Sequence, residues 1–408
     1  MPSKNTYFFL VFLLFFSLIS CGQTNTTNKN STAVKTVAVS SKDILTGAQQ
    51  TELYLPNLKQ KNIAIVANHT SVIFKKEKEN YTHLVDSLHK LNITIEKVFS
   101  PEHGFRGKAD ASEAVADGID KKTGIPIISL YGKNKKPTAE QLAGIELVVF
   151  DIQDVGVRFY TYTSTLHYIM EACAENGIPV LVLDRPNPNA HYVDGPTLKM
   201  EYKSFVGMHP VPLVFGMTIG EYAQMMNGEN WLKNNVKCDL TVIPLKNYTH
   251  QIPYSLPIRP SPNLPNDQSI NLYPSLGFFE GTIINAGRGT ENQFQQYGAP
   301  FFPKSEFSYT PQPNFGSKYP KHQDKLCYGV DLKNSERLSS VTIEYLLDAY
   351  NKTPKTEKFF GATFTVHAGN LELEQQLKNG LSAKEIHDSW QPAIEDFKKV
   401  RKKYLIYE

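Results

Sequence analysis

Residues 63–68 (IAIVAN) form an unbroken apolar run that ends in a polar turn. The same pattern returns at 93–99 (ITIEKVF), 125–130 (IPIISL), 147–151 (LVVFD) and 179–184 (PVLVLD). Between these runs, apolar residues recur at helical spacing: Tyr81, Leu84, Val85, Leu88 and Leu91, then Leu166, Ile169, Met170 and Cys173 with Gly177 as a stop. Thr218 and Glu221 make a capping box ahead of Tyr222, Met225 and Met226, and 240–245 (LTVIPL) is a last strand. Short, continuously apolar strands alternating with amphipathic helices predict an α/β domain: a parallel sheet covered on both faces, Rossmann-like, over 43–248. From 249 the character changes. Pro253, Pro257, Pro260, Pro262, Pro265 and Pro274 forbid a long helix and favour rigid extended loops. Strands at 327–332 and 362–367 and helices at 341–350 and 392–405 predict a smaller α+β domain, 249–408.

Open parallel sheets bind ligands beyond the carboxyl ends of their strands. Here those ends are Asn68-His69-Thr70, Ser100-Pro101-Glu102-His103-Gly104, Tyr131-Gly132, Asp151-Ile152-Gln153-Asp154 and Asp184-Arg185-Pro186-Asn187. Ionisable residues at nearly every tip point to a site on one rim. No G-x-G-x-x-G follows a strand and no G-x-x-x-x-G-K-[ST] exists, so neither a dinucleotide nor ATP is implied. A G-x-S-x-G elbow is also missing.

The first 42 residues stand apart. Lys4 precedes an uncharged run from Tyr7 to Ser20, too short to span a bilayer as a helix. The run ends Leu18-Ile19-Ser20-Cys21-Gly22, which resembles the lipobox of bacterial lipoproteins. That resemblance implies a signal peptide over 1–20, a lipid on Cys21 and a membrane-anchored protein of the cell envelope, facing the periplasm. Residues 21–42, rich in Thr, Asn and Ser, are a flexible tether. The remaining cysteines, Cys173, Cys238 and Cys327, are far apart and without metal-type spacing, so buried thiols are expected.

Composition narrows the function. The 408 residues carry 43 basic and 40 acidic side chains, a balance unlike that of a nucleic-acid binder. At the strand tips, Glu102 is held between Pro101 and the flexible Gly104, as suits a general acid, although pairing with Arg106 is the bland alternative. Asp151, Gln153, Asp154, Arg158, Tyr160 and Tyr162 could bind a metal, hold an arginine or hydrogen-bond a sugar. No His-x-x-x-His accompanies them, and no metal or cofactor is expected. Asp184-Arg185-Pro186-Asn187 could be a rigid turn or a ligand contact. Across the domain boundary, Arg259–Pro265 with Asn263, Tyr273, Glu280, Arg288 and Glu291 could close over the rim.

Six motifs in order, SPEHGFRG (100–107), DIQDVGVRFYTY (151–162), LDRPNPN (183–189), RPSPNLP (259–265), FEGT (279–282) and GRGT (287–290) with GAP (298–300), resemble the NamZ-type exo-β-N-acetylmuramidase family over about 60–405. Two positions depart from its pattern: Gln293 precedes Phe294 where a Pro is usual, and Asn189 stands where a Gly is usual. The resemblance implies a cleft between two domains and a glycosidase that releases N-acetylmuramic acid from non-reducing ends of peptidoglycan fragments in cell-wall recycling. It makes Glu102 the catalytic acid, with Asp151, Asp154, Glu280 or Glu291 as the second carboxylate, or Tyr273 orienting a substrate acetamido group. Arg106, Arg158 and Arg288 could take the lactyl carboxylate, Tyr160 or Tyr162 could stack on the ring, and His69, His103, Gln153, Asp184, Asn187 and Asn263 would line the cleft. The alternative is a sugar- or muropeptide-binding lipoprotein without catalysis.

Overall fold

The computed structural model describes residues 44–75, 80–106 and 117–408. The expected signal peptide, the tether and Cys21 lie outside the described residues. In chain order the strands are β1 (Ile63–Ala67), β2 (Val72–Phe74), β3 (Tyr81–His83), β4 (Ile95–Ser100), β5 (Gly118–Ile119), β6 (Pro126–Ser129), β7 (Leu147–Asp151), β8 (Val180–Leu183), β9 (Leu240–Ile243), β10 (Gln296–Ala299), β11 (Ser308–Tyr309) and β12 (Cys327–Asp331). The helices are α1 (Thr51–Leu58), α2 (Leu84–Lys90), α3 (Ala139–Leu142), α4 (Tyr162–Glu175), α5 (Ile219–Gly228), α6 (Asp267–Leu276), α7 (Glu344–Lys352), α8 (Phe364–Ala368), α9 (Glu372–Lys378) and α10 (Ala383–Arg401).

The large sheet has the order β5-β6-β4-β1-β7-β8-β9, parallel except for β5 at one edge. Starting at β1, the chain winds outward through β4 and β6, then returns to β7, β8 and β9. The order therefore reverses beside β1, and that switch point is where a crevice opens. Alternation along each strand serves two cores. Ile63, Ile65, Leu147, Val149 and Leu181 meet Leu58 of α1 and Leu84, Val85 and Leu88 of α2. Ala64, Val66, Val148, Phe150 and Val180 meet Leu166, Ile169, Met170 and Cys173 of α4. With both faces covered, β1 and β7 are buried along their whole length.

The smaller domain is built on an antiparallel sheet, β10-β12-β11, with α6 to α10. One apolar core runs from α4 through Leu272, Phe278 and Phe279 to Phe364 and Ile394. The carboxyl terminus returns to the large sheet, where the Tyr407 hydroxyl donates to Asp184 Oδ2 at 2.6 Å. The expected strand at 362–367 is instead the short helix α8. Its β-branched residues favour a strand locally, but burial of Phe364 and the left-handed Gly369 (φ 80°) after Ala368 close a helical turn. The last helix begins at Ala383 rather than near 392. Ser382 and Glu385 form its capping box, and Pro392 sits inside it. Cys173, Cys238 and Cys327 are buried free thiols. Among the described residues no helix is long and apolar enough to cross a membrane.

Candidate active site

Glu102 leaves β4 in a tight turn closed by the Gly104 amide donating to the Pro101 carbonyl at 3.1 Å. His103 occupies the left-handed region at φ 70° and Gly104 follows at φ 75°. A non-glycine residue held there stores strain that the surrounding structure must offset, a feature typical of functional turns. Both Glu102 oxygens are then fixed by residues from elsewhere on the rim. The Tyr131 hydroxyl, just past β6, donates to Oε1 at 2.9 Å, and the Thr161 hydroxyl donates to Oε2 at 2.8 Å. Thr161 is the N-cap of α4, yet its side chain makes no bond to its own helix. The carboxyl group thus sits at the helix N-terminus in place of the usual capping contact.

The second half of the site comes from the smaller domain. Glu280 pairs with Arg288 (Nη1 to Oε2, 2.7 Å), and Arg288 Nη2 also donates to the Gly316 carbonyl at 3.2 Å. Burial alone would raise the Glu280 pKa, but Arg288, Lys321 and His367 together hold it below the usual value. Lys321 is anchored by the carbonyls of Phe279 (2.6 Å) and Glu280 (3.2 Å). Tyr273, on α6, joins the two halves. Its phenol is pushed up first by burial and then by the charges of both Glu280 and Glu102. It therefore stays protonated and able to donate a hydrogen bond at any ordinary pH. Its ring lies edge-on to Phe159 (5.0 Å between centroids), Tyr160 (6.2 Å) and Phe294 (4.8 Å). Glu102, Tyr273, Glu280 and Arg288 are each partly exposed, within surroundings that are mostly buried.

Several side chains expected at this site are engaged elsewhere. Asp151 is fully buried and holds Arg185 through two bonds, 2.6 Å from Nε and 2.9 Å from Nη2, so it is not available as a second catalytic carboxylate. Arg158 is buried too. Its Nη1 donates to the carbonyls of Pro196 and Val211, and its Nη2 to those of His367 and Ala368. It clamps the main chain and has no Nη proton left for a lactyl group. Arg106 is paired with Asp86 (3.0 Å) and Asp120 (2.7 Å). Asp184 accepts from Thr218 (2.8 Å), the Gly220 amide (2.8 Å) and Tyr407, which places it in the packing of α5. Asn187 donates to the Met217 carbonyl and caps its own turn. Gly156, at φ 75°, leaves it room, since a Cβ there would lie 2.2 Å from the Asn187 amide. The Gln153 amide is used by the carbonyls of Asp154 and Pro186. Tyr160 and Tyr162 are too buried to stack on a sugar. Their hydroxyls bond the Pro260 carbonyl and the Asn68 amide, and their rings meet each other edge-on.

His69 ties the two domains together, and Asn263 fixes a turn within the smaller one. His69 Nε2 donates to the Arg259 carbonyl at 2.9 Å, and Asn263 Nδ2 donates to the Gly316 carbonyl at 2.6 Å. His103 is buried beside His69, whose pKa is lowered first by burial and further by the neighbouring imidazole. Glu291 is exposed at its loop tip. The departures are accommodated: Phe294 forms a wall of the Tyr273 box, and the Asn189 amide bridges the carbonyls of Val155 and Ile270. Four side chains of the cluster escaped the sequence reading: Tyr131, Thr161, Lys321 and His367. Tyr131 stood at a strand tip and Thr161 inside the DIQDVGVRFYTY motif, so both carried a usable signal. Lys321 and His367 carried none.

Asp154 is different in kind. Its Oδ1 accepts from the Gly156 amide at 2.6 Å, while Oδ2 is buried with no partner among the described residues. Burial pushes its pKa up to about 7 against the pull of the nearby amides. A carboxyl group raised by folding favours the folded chain while protonated. That advantage is complete below the ordinary value of 3.8 and is lost as pH rises to about 7, at up to about 1.4 kcal/mol per pH unit. Asp154→Asn is therefore expected to match the wild type in denaturation midpoint near pH 4 and to exceed it at pH 8. Equal midpoints at both pH values would contradict the buried neutral acid.

Among the described residues no three His, Cys, Asp or Glu side chains form a metal-holding group. A doubly wound sheet, a fixed carboxyl group at its switch point and a carboxylate–arginine pair brought over it define an α/β protein with an acid site between two domains. The chain belongs to the NamZ exo-β-N-acetylmuramidase family: its N-terminal domain description matches residues 63–268 and its C-terminal one residues 271–407. It is 38% identical to the peptidoglycan β-N-acetylmuramidase NamZ of Bacillus subtilis strain 168, over 99% of this chain and all of that one. Two crystal structures of DUF1343 family proteins from Bacteroides fragilis NCTC 9343 share the fold. One has a TM-score of 0.82 at 46% identity and the other 0.76 at 27%, each covering 90% of this chain and 99% of its own.

Proposed function

We propose that this chain is an exo-acting glycoside hydrolase that releases N-acetylmuramic acid from the non-reducing ends of peptidoglycan fragments during cell-wall turnover. The observation that carries this reading is the convergence of Glu102 and the Glu280–Arg288 pair on Tyr273. Glu102 is the general acid: protonated, it gives its proton to the glycosidic oxygen as the bond to the sugar breaks. Tyr131 and Thr161 hold both its oxygens, which fixes its direction. Glu280, kept ionised by its cations, stabilises the positive charge that develops on the sugar ring. Tyr273 donates to the substrate, with the acetamido oxygen as its natural acceptor. Arg288 takes the lactyl carboxylate, since of the three arginines considered it alone has its carboxylate partner inside this cluster. The aromatic wall of Phe159, Tyr273 and Phe294 closes one side of the group, which suits a chain end better than a continuous glycan.

The amino-terminal motif supports a place in the cell envelope. Cleavage before Cys21 and lipidation of its thiol would hold the enzyme on a membrane, facing the periplasm, with residues 21–42 as a tether. Substrate choice tests the reading of the cleft. A nitrophenyl N-acetylmuramide should be hydrolysed at least about 100-fold faster than the corresponding N-acetylglucosaminide, because only the former carries a carboxylate for Arg288. Arg288→Ala should erase most of that preference. Equal rates on the two substrates would remove the carboxylate contact from the account.

A further inference from the structure

Three Phe, Tyr or Trp side chains are more than half exposed among the described residues, and two of them fall within one short stretch: Phe315 (57%) and Tyr319 (90%). Apolar surface left clustered in water at the edge of a cleft marks a ligand contact. The main chain beneath these rings is fixed. Asn314 and Ser317 exchange two backbone bonds, at 2.9 and 3.2 Å, which closes a tight turn with Phe315 and Gly316 at its tip. The Asn314 side chain accepts from the Gly316 amide and donates to the Thr290 carbonyl, both at 3.1 Å. On one side of the turn, the Gln312 amide donates to the Gly289 carbonyl at 2.8 Å. On the other, Asn285 Nδ2 bridges the carbonyls of Arg288 (3.0 Å) and Lys321 (2.9 Å). At the tip, the Gly316 carbonyl accepts from Arg288 Nη2 and from Asn263 Nδ2. The turn that carries Phe315 is therefore held by the same guanidinium that pairs with Glu280.

The chemistry of the substrate says what would reach these rings. In a β-linked muramic acid the lactyl ether stands on C3 and the scissile oxygen on C1. Both carbons neighbour C2, so the departing sugar leaves beside the lactyl group and not across the ring from it. With the lactyl carboxylate on Arg288, the sugar beyond the cut bond emerges on the side of the Gly316 turn. Phe159, Tyr273 and Phe294 wall the muramic acid, whereas Phe315 and Tyr319 stand outside that wall with their surfaces in water. N-acetylglucosamine is neutral, and its C–H bonds pack on the electron-rich face of an aromatic ring without any need for charge.

We propose that Phe315 and Tyr319 form the platform for the departing end of the glycan, with the N-acetylglucosamine next to the cut bond packed on Phe315 and Tyr319 beside it. The assignment rests on the proposed function through the lactyl contact at Arg288. A turn fixed in advance gives this contact at little ordering cost.

Calorimetric titration tests it on the full-length Glu102→Gln protein, which holds the glycan without cutting it. The ligands are N-acetylmuramic acid alone and the disaccharide of N-acetylmuramic acid β-linked to N-acetylglucosamine. The disaccharide should bind at least about tenfold more tightly. Phe315→Ala with Tyr319→Ala should abolish that gain and leave the affinity for muramic acid unchanged, and Phe315→Trp with Tyr319→Trp should keep the gain. Equal affinity for the two ligands in the parent protein, a gain that survives in the alanine variant, or an equal loss for both ligands would overturn the platform. Turnover decides the proposed function separately: a disaccharide bound through these rings but left intact by the wild type would defeat that function and leave the platform standing.

Discussion

Glu102→Gln is expected to slow release of N-acetylmuramic acid from a glycan by roughly 10²–10⁴-fold, the usual contribution of a positioned general acid. Folding should be unaffected. The amide oxygen can accept from Tyr131 as Oε1 does now, Thr161 can turn its hydroxyl to accept from the amide nitrogen, and the partly exposed side chain fills the same volume. The leaving group provides a sharper test than the rate alone. A sugar alkoxide needs a proton as it departs, whereas a nitrophenolate leaves well without one. The loss should therefore be large on a disaccharide and much smaller on the nitrophenyl glycoside. An equal loss on both would make Glu102 a nucleophile rather than an acid. Tyr131→Phe and Thr161→Val each free one oxygen, so both should lower kcat and shift the alkaline limb of its pH profile. A purely structural role would lower the midpoint of unfolding and leave that limb in place.

The second large effect concerns stability. Asp151→Ala leaves the Arg185 guanidinium buried with, among the described residues, only the Val72 carbonyl to accept from it, because both its bonds to Asp151 are lost. Breaking one side of such a buried pair costs about 3–5 kcal/mol, which should appear as a marked drop in the denaturation midpoint. Replacing both partners with apolar residues of similar volume, Asp151→Leu with Arg185→Met, should recover most of the loss. The two carboxylates thus separate cleanly: Glu102 affects chemistry at constant stability, and Asp151 affects stability. An Asp151 variant that kept its midpoint while losing turnover would return Asp151 to the catalytic group.

The strand pattern was legible because parallel strands buried on both faces must be continuously apolar; β1 and β8 obey that rule residue for residue, and β7 obeys it up to Asp151 at its end. The location of Glu102 followed from the same rule, since the carboxyl end of β4 lies beside the switch point at β1. Arg158 could not be read in this way. An arginine in a polar–aromatic motif looks like a ligand contact, and nothing in the sequence shows that carbonyls from Pro196, Val211, His367 and Ala368 converge on it. For Asp151 and Asp184 the sequence left a structural partner and a ligand contact both open, for a related reason. A strand tip places a side chain at the rim, but whether it faces the cleft or turns inward depends on partners such as Arg185 and Tyr407. Lys321 and His367 come from segments with no motif, and only the packing of the smaller domain brings them to Glu280.

The most direct measurement is the identity of the first product. The full-length protein would be incubated with a defined glycan of alternating N-acetylmuramic acid and N-acetylglucosamine that begins with muramic acid at its non-reducing end, and the products followed by mass spectrometry. Free N-acetylmuramic acid is expected as the first and, initially, the sole small product, with a chain shortened by one sugar and now ending in N-acetylglucosamine. Internal fragments, release of N-acetylglucosamine first, or an intact glycan after prolonged incubation would contradict it.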